Sequence, residues 1–328
     1  MRIEIHTPDA PPVPAGSPLE PGVWSTGASA VVMVIGASSG IVASCAVWAR
    51  TMPSLDGKRV GSIGRFDCTD AAAAKAALDA ACSWLAGQGC QLAVGPLDGS
   101  TWHRYRFVTE SSDEPPFFME PTNPLEWPGI WASAGFAPLA TYHSSLNEEL
   151  KTQDPLLEQA SSRARGAGLT LRPVNMGDFD RELRAIFELS LTAFADNYLY
   201  SPITWEEFSG MYTRVKDLLD PRLVLLCDDP SRPGALAGYL MALPDPLERQ
   251  RTGGCRTLIL KSMAVRAEWR SVGLGTWMIA QAQANAVTAG LTRSIFALMH
   301  DCNASARIGK HYSRVIRRYT LFARGLAQ

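Results

Sequence analysis

The stretch that decides the fold runs Thr257-Leu258-Ile259-Leu260-Lys261-Ser262-Met263-Ala264-Val265, then Arg270-Ser271-Val272-Gly273-Leu274-Gly275-Thr276, then an alanine-rich run to Gly290. Leu258 to Val265 is aliphatic and too short before Arg266 for an ordinary helix, which predicts a buried strand. Beyond it, Leu274, Trp277, Met278, Gln281, Ala282 and Asn285 recur at helical spacing and Gly290 supplies a stop, so a helix follows. Gly273 and Gly275 stand at the joint. Glycine there lets the backbone approach a ligand and lets the N–H groups of the helix start converge on one anion, which suits a pyrophosphate.

The joint lacks the Gly-Lys-Ser/Thr of a nucleotide P-loop and holds only two of the three glycines of a dinucleotide fingerprint. Arg270 opens the turn instead. Strand, short loop, Arg-x-x-Gly-x-Gly and long Ala-rich helix together resemble the acetyl-CoA-binding motif of the GNAT superfamily of N-acetyltransferases. The resemblance implies that Met263, Ala264 and Val265 pair with the pantetheine arm of the acyl-CoA co-substrate. It implies that Arg270, Ser271, Val272, Gly273, Leu274, Gly275 and Thr276 wrap the pyrophosphate, and that Asn303 contacts the same molecule. Asn303 and Ser305 read equally well as caps of their own helix.

Working outward, the segments after Gly166 run in order. Leu169 to Pro173 reads as a strand, and Asp178 to Ala195 and Thr204 to Leu219 as amphipathic helices, the second with a Thr204/Glu207 capping box. Strands follow at Leu223 to Cys227 and Ala235 to Leu243, then the opening stretch, a strand at Ser294 to Met299, a short helix at Asn303 to Lys310 and a strand at Val315 to Phe322. This order resembles the GNAT fold across the whole segment.

The first half repeats the later part of that order. Strands are expected at Arg2 to His6, Ala28 to Ile35, Ile41 to Ala49, Lys58 to Phe66 and Cys90 to Gly95, with a helix at Asp70 to Leu85. Gly36-Ala37-Ser38-Ser39-Gly40-Ile41 also occurs in the cofactor loop of short-chain dehydrogenases, but an extended run follows it where a helix is needed, so it reads as a hairpin turn. Before the first-half helix stands Asp67-Cys68-Thr69-Asp70, whose carboxylates would repel a pyrophosphate. Residues 147 to 166 are polar and carry Asp154-Pro155, which places a domain boundary there. The expected fold class is α+β: two GNAT-like domains in tandem, each a mixed central sheet flanked by helices. Residues 1–150 form a degenerate copy without the pyrophosphate turn, and residues 151–328 the acyl-CoA-binding copy.

Composition sets outer limits. With 46 % hydrophobic and 19 % charged residues and a formal net charge of -1, the chain is an ordinary globular one without a bulk field for nucleic acid. Its seven cysteines form no C-x-x-C pair, which argues for reduced thiols and against a metal site. No run approaches the roughly 20 apolar residues that span a bilayer. A cytoplasmic protein without a membrane partner, monomer or homodimer, is expected.

In the family resembled, a neutral amine attacks the thioester carbonyl, whose oxygen is polarised by a strand N–H near Met263 or Val265. Where many members carry a carboxylate base this chain has Leu298, and where they carry a tyrosine acid it has Lys310. The substitutes at hand are His300, with Asp301 beside it, and Tyr312. Acceptor contacts are expected from Asn197, Tyr198, Tyr200 and Trp205 in one loop and from Asp245 and Glu248 in another, carboxylates beside aromatics suiting a small cationic amine. Arg314, Arg317, Arg318 and Arg324 would reach an adenosine 3′-phosphate or coat an outer strand. The passage Trp102-His103-Arg104-Tyr105-Arg106-Phe107 reads as a ligand-facing loop or as an interface with arginine packed on aromatic rings. The expected activity is an acyl-CoA-dependent N-acyltransferase, with acetyl-CoA as the donor, acting on a small amine by direct attack in a ternary complex; the rival is a catalytically silent GNAT-like binder of acyl-CoA or a partner.

Overall fold

A computed structural model describes residues 1–9, 22–150, 155–302 and 312–327. Its described strands join in one sheet built from two similar runs. In the second half β8 (Leu171–Pro173), β9 (Val224–Asp228), β10 (Leu236–Pro244) and β11 (Thr257–Val265) lie side by side and antiparallel. Helix α7 (Leu274–Thr288) then crosses over and returns the chain as β12 (Arg293–His300), parallel to β11. In the first half β1 (Arg2–His6), β2 (Ala30–Ile35), β3 (Ile41–Trp48) and β4 (Val60–Cys68) repeat the antiparallel order. Helix α1 (Ala71–Gly87) then crosses to β5 (Leu92–Gly95), parallel to β4.

The central strands of the second half are apolar on both faces because both are covered. Leu274, Trp277, Met278, Ala282 and Ala286 of α7 pack on Leu225, Ala237, Leu240 and Leu258. On the other face α4 (Phe179–Ala193) and α5 (Trp205–Thr213) bring Phe187 and Phe208 against Leu226, Tyr239 and Met241. The Tyr239 hydroxyl, buried there, is satisfied by Ser190 Oγ at 2.7 Å. Thr204 caps α5 by accepting from the Glu207 N–H at 3.2 Å, but the Glu207 carboxylate does not close the reciprocal capping bond. It meets His103 Nε2 of the first half at 2.5 Å.

The first half is closed where the second is open. Beyond its three parallel pairs with β5, β4 stays attached to the returning chain, since the Leu97 N–H donates to Ile63 O at 2.8 Å and the Arg65 N–H to Asp98 at 2.7 Å. Trp127 and Trp131 of α2 (Trp127–Ser133) fill the neighbouring space with Phe66, Phe107 and Phe136. Trp131 is fully buried, and a Cβ on Gly95 would lie 2.5 Å from its ring. Asp70 caps α1 by accepting from the Ala73 N–H at 2.7 Å.

The final strands of the two runs are exchanged. β7 (Ala137–Asn147), which ends the first half, pairs with β12 of the second; β13 (Arg314–Gly325), which ends the second, pairs with β5 of the first. β7 and β13 also pair with each other, and β6 (Phe107–Ser111) pairs with β13.

Several sequence expectations change accordingly. The terminal strand is central, and its arginines are paired with carboxylates of neighbouring segments, Arg317 in the interior and Arg314 and Arg318 at the surface. Arg317 is 3 % exposed and bound to Glu120, Arg314 meets Glu114 and Glu148, Arg318 meets Glu110, and Arg324 meets Asp79. The polar segment in which a domain boundary was expected contains α3 (Pro155–Gly166), whose Ala160 and Ala164 let it lie close against the start of α7. Asp245 and Glu248 are structural, because α6 (Pro246–Thr252) forms here with Asp245 as its N-cap and Glu248 in its first turn. Asp245 is 2 % exposed and accepts from the Leu247 and Phe118 N–H groups, while Glu248 accepts from the Arg256 and Thr257 N–H groups.

Candidate active site

Strands β11 and β12 pair only from Thr257 opposite Arg293 to Leu260 opposite Phe296. Beyond that point they part. Both strands are irregular there: the β10–β11 register skips Lys261, and in β12 Leu298 takes a left-handed φ of 59° while the register with β7 slips between Phe296 and Met299. The Leu298 N–H then donates to Ser144 Oγ at 2.9 Å instead of to a strand carbonyl. The edge of β11 from Ser262 to Val265 keeps its β10 partners on one side and is left open on the other.

The opening leads into a cleft of about 920 Å³. Lys261, Ser262, Met263, Leu298 and His300 come from the parted strands; Asn197, Tyr198 and Tyr200 come from the loop after α4. The third wall belongs to the first half and includes Trp102, Tyr105, Arg106, Glu120 and Tyr142. The Trp102-to-Phe107 passage packs as an interface and also lines the cleft. Trp102 sits against Phe194, Tyr200 and Phe208 of the second half and donates its indole N–H to Ser201 O at 2.9 Å, while Arg106 packs on Tyr105 and Tyr142 and lines the cleft. A second cavity, about 530 Å³, lies between α3, α7 and β8, away from the strand opening.

Gly273, with a left-handed φ of 87°, starts α7 as its N-cap and provides no side-chain cap. The first-turn N–H groups of a helix have no intrahelical acceptors and carry the positive end of its dipole. They therefore fit a diphosphate, which an acyl-CoA would supply. Gly273 is sterically required, since a Cβ there would lie 3.0 Å from Ala160 Cβ, whereas a Cβ on Gly275 would meet only the flexible tip of Met263, 3.3 Å from its Cε. Arg270 does not turn its charge into the bend. Its Nε donates to Val265 O at 3.2 Å and its Nη2 to Ala193 O at 3.4 Å, tying the bend to the ends of β11 and α4.

His300 stands among rings, 4.8 Å from Tyr142 and 5.8 Å from Tyr198. Burial lowers its pKa below the usual histidine range; Asp301 pulls upward and Arg106 pushes further down. Its Nδ1 accepts from the Cys302 N–H at 3.1 Å, which leaves the proton of the neutral ring on Nε2. In this arrangement His300 is a hydrogen-bond donor, not a free base. Tyr312 packs 6.3 Å from Phe296 in the core under α7 and is not among the described residues that line the cleft. Asn303 and Lys310 fall outside the described residues. Asp245, as shown above, is a buried helix cap and does not line the cleft.

Three cleft residues were not singled out from the sequence. Burial, with Arg106 adding to it and Glu120 opposing, lowers the half-buried Lys261 to about 8. Tyr142, on β7, is pushed above the usual tyrosine range chiefly by burial. Glu120 is held by Arg317 and the Tyr319 hydroxyl, and Tyr319 meets Ser144 Oγ at 2.9 Å. Only the run of rings and cations around Arg106 hinted at this wall; β7 reaches it through strand exchange, which no local pattern announces.

A solved GCN5-related N-acetyltransferase from Sphaerobacter thermophilus matches with a TM-score of 0.53, covering 91 % of this chain and 81 % of that one at 15 % identity. The fold is that of the GNAT superfamily. β11, the glycine turn and α7 follow one another in the order that the sequence placed them. Among curated proteins, the chain is 25 % identical over 166 residues to the bacterial ceramide synthase of Caulobacter vibrioides (strain NA1000 / CB15N), covering 51 % of this chain and 42 % of that protein. It is 25 % identical over 246 residues to Protein YghO of Escherichia coli (strain K12), covering 67 % and 60 %. The chain thus spans about half the length of the curated relatives it matches. No protein-family model matches it.

Proposed function

We propose that the chain is an acyl-CoA-dependent N-acyltransferase that acylates an amine by direct attack in a ternary complex. The observation that carries this reading is the single cleft formed where β11 and β12 part, reaching α7 at Ile279, with a glycine-opened helix start following β11. When bound, the thioester supplies the acyl group and a thiolate leaving group. The α7 amides hold the diphosphate, and the open edge of β11 at Met263 and Ala264 orients the arm. The aromatic wall of Trp102, Tyr105, Tyr142 and Tyr198 excludes water from the thioester. Nε2–H of His300 serves as a donor, and Asn303 remains a proposed cofactor contact.

We read residues 1–150 as a degenerate copy and 151–328 as the acyl-CoA-binding copy, the first supplying a wall instead of a second cofactor site. Acetyl-CoA is the donor implied by the motif. Two observations favour a longer acyl chain. The cleft is lined deep by Leu243, Leu260, Phe296 and Met299, and one relative is named a ceramide synthase, a ceramide being a long-chain amide. All seven cysteines are unpaired, which fits a reducing compartment.

Calorimetric titration with CoA, acetyl-CoA and medium- and long-chain acyl-CoA tests the reading, followed by thiol release with a panel of amines. One CoA bound per chain and amine-dependent thiol release are expected. Absence of binding by every thioester refutes the proposal; tight binding without thiol release across all amines would establish the silent binder.

A further inference from the structure

Arg106 is 5 % exposed, and its guanidinium lies 4.0 Å over the Tyr105 ring and 4.2 Å over that of Tyr142. Its Nε and Nη1 have no hydrogen-bond partner, although the side chain lines the cleft. Its N–H donates to Pro96 O at 2.8 Å, which anchors the backbone at this point. Guanidinium stays charged at every accessible pH, and a buried charge without a counter-ion is costly. Two tyrosine faces offset part of that cost but leave the N–H groups unsatisfied.

The carboxylates of the cleft wall are committed elsewhere. Glu120 accepts from Arg317 Nε at 2.9 Å, from the Phe117 N–H at 3.2 Å and from the Tyr319 hydroxyl; Asp98 accepts from the Arg65 N–H at 2.7 Å. Lys261 of β11 adds a second cation to the same cleft. A planar fork with unused donors, clamped between rings, is suited to the paired oxygens of a carboxylate or phosphate.

We propose that Arg106, assisted by Lys261, binds an oxyanion on the acceptor, so that the amine acylated here carries a carboxylate or phosphate on the same molecule. The word acceptor rests on the transferase reading above; the anion site itself does not. The site reverses the charge expected from sequence, because the carboxylates assigned to amine recognition, Asp245 and Glu248, are structural.

The test is calorimetric titration of the full chain, with and without CoA, using phosphoethanolamine, serine and ethanolamine, on the wild type and on Arg106→Met, Arg106→Lys and Lys261→Met. Phosphoethanolamine or serine should bind about tenfold or more tighter than ethanolamine, a ratio that also says whether phosphate or carboxylate is preferred. Arg106→Met should abolish that preference, Arg106→Lys should restore part of it, and the CoA titration should be unchanged. Equal binding of the three amines by the wild type overturns the proposal. So does an Arg106→Met variant that loses CoA affinity in step with amine affinity, which would assign the arginine to the donor. Should Arg106→Met fail to fold, the wild-type series and Lys261→Met decide alone. A retained anion preference with no CoA binding would leave this site standing and sink the transferase reading.

Discussion

Replacing Gly273 by alanine separates the two jobs assigned to the turn, shape and phosphate binding. A left-handed conformation costs an L-residue about 1–2 kcal/mol, and the φ of 87° lies in that region. The new Cβ would also stand 3.0 Å from Ala160 Cβ and 3.1 Å from its Cα, inside the ordinary contact distance, so α3 must move away. Overpacking of that kind costs about 1–3 kcal/mol. Together the substitution should destabilise the fold by roughly 3 kcal/mol. Urea unfolding measures this, and Ala160→Gly provides the partner for a double-mutant cycle. Removing the Ala160 Cβ loses about 1 kcal/mol of helix preference but relieves part of the crowding, so the double variant should be less destabilised than the sum by about 1 kcal/mol. Displacing the first turn of α7 should also weaken CoA binding by about tenfold, which titration at a temperature where the variant is folded detects. A stability loss under about 0.5 kcal/mol would show that the backbone is not held in the left-handed region. A full stability loss with CoA affinity intact would refute the turn as the phosphate site.

Trp131→Ala should cost about 3–5 kcal/mol in urea unfolding, since a fully buried ring 4.6 Å from Phe136 and 5.3 Å from Phe107 leaves a cavity. The variant should still bind one CoA per chain; a second CoA would mean that the aromatic plug alone hides another site. Asp245→Ala should lower stability by about 1–3 kcal/mol by stranding the Leu247 and Phe118 N–H groups while leaving KM for the amine unchanged, and a raised KM at full stability would return Asp245 to acceptor recognition. His300 should titrate below the free histidine value in an NMR pH series, and Arg106→Met should raise its midpoint by removing a positive neighbour. Because the folded ring holds its proton less tightly than the unfolded one, the His300 contribution to stability is present above the unfolded pKa and is lost as pH falls. Thermal unfolding that improves on acidification through that range in the wild type relative to His300→Ala would contradict the sign.

The sequence by itself determined most of the elements and the glycine turn between β11 and α7. The aliphatic run of β11, the 3.6 period of α7 and the glycines between them are local patterns, set by neighbours a few residues apart, and each appears where the residues placed it. The repeat of strand order in the two halves was legible for the same reason. Tertiary structure alone decided which side chains meet. Exchange of β7 and β13 carries Tyr142 to the cleft and Arg317 into the interior, although local pattern makes one an ordinary strand residue and the other part of a basic tail. Formation of α6 turned Asp245 and Glu248 from presumed ligand contacts into buried acceptors of backbone N–H groups. Arg106 shows the limit most directly. Its charge is written in the sequence, but its lack of a counter-ion depends on Glu120 and Asp98 being occupied by partners that only the folded chain brings within reach.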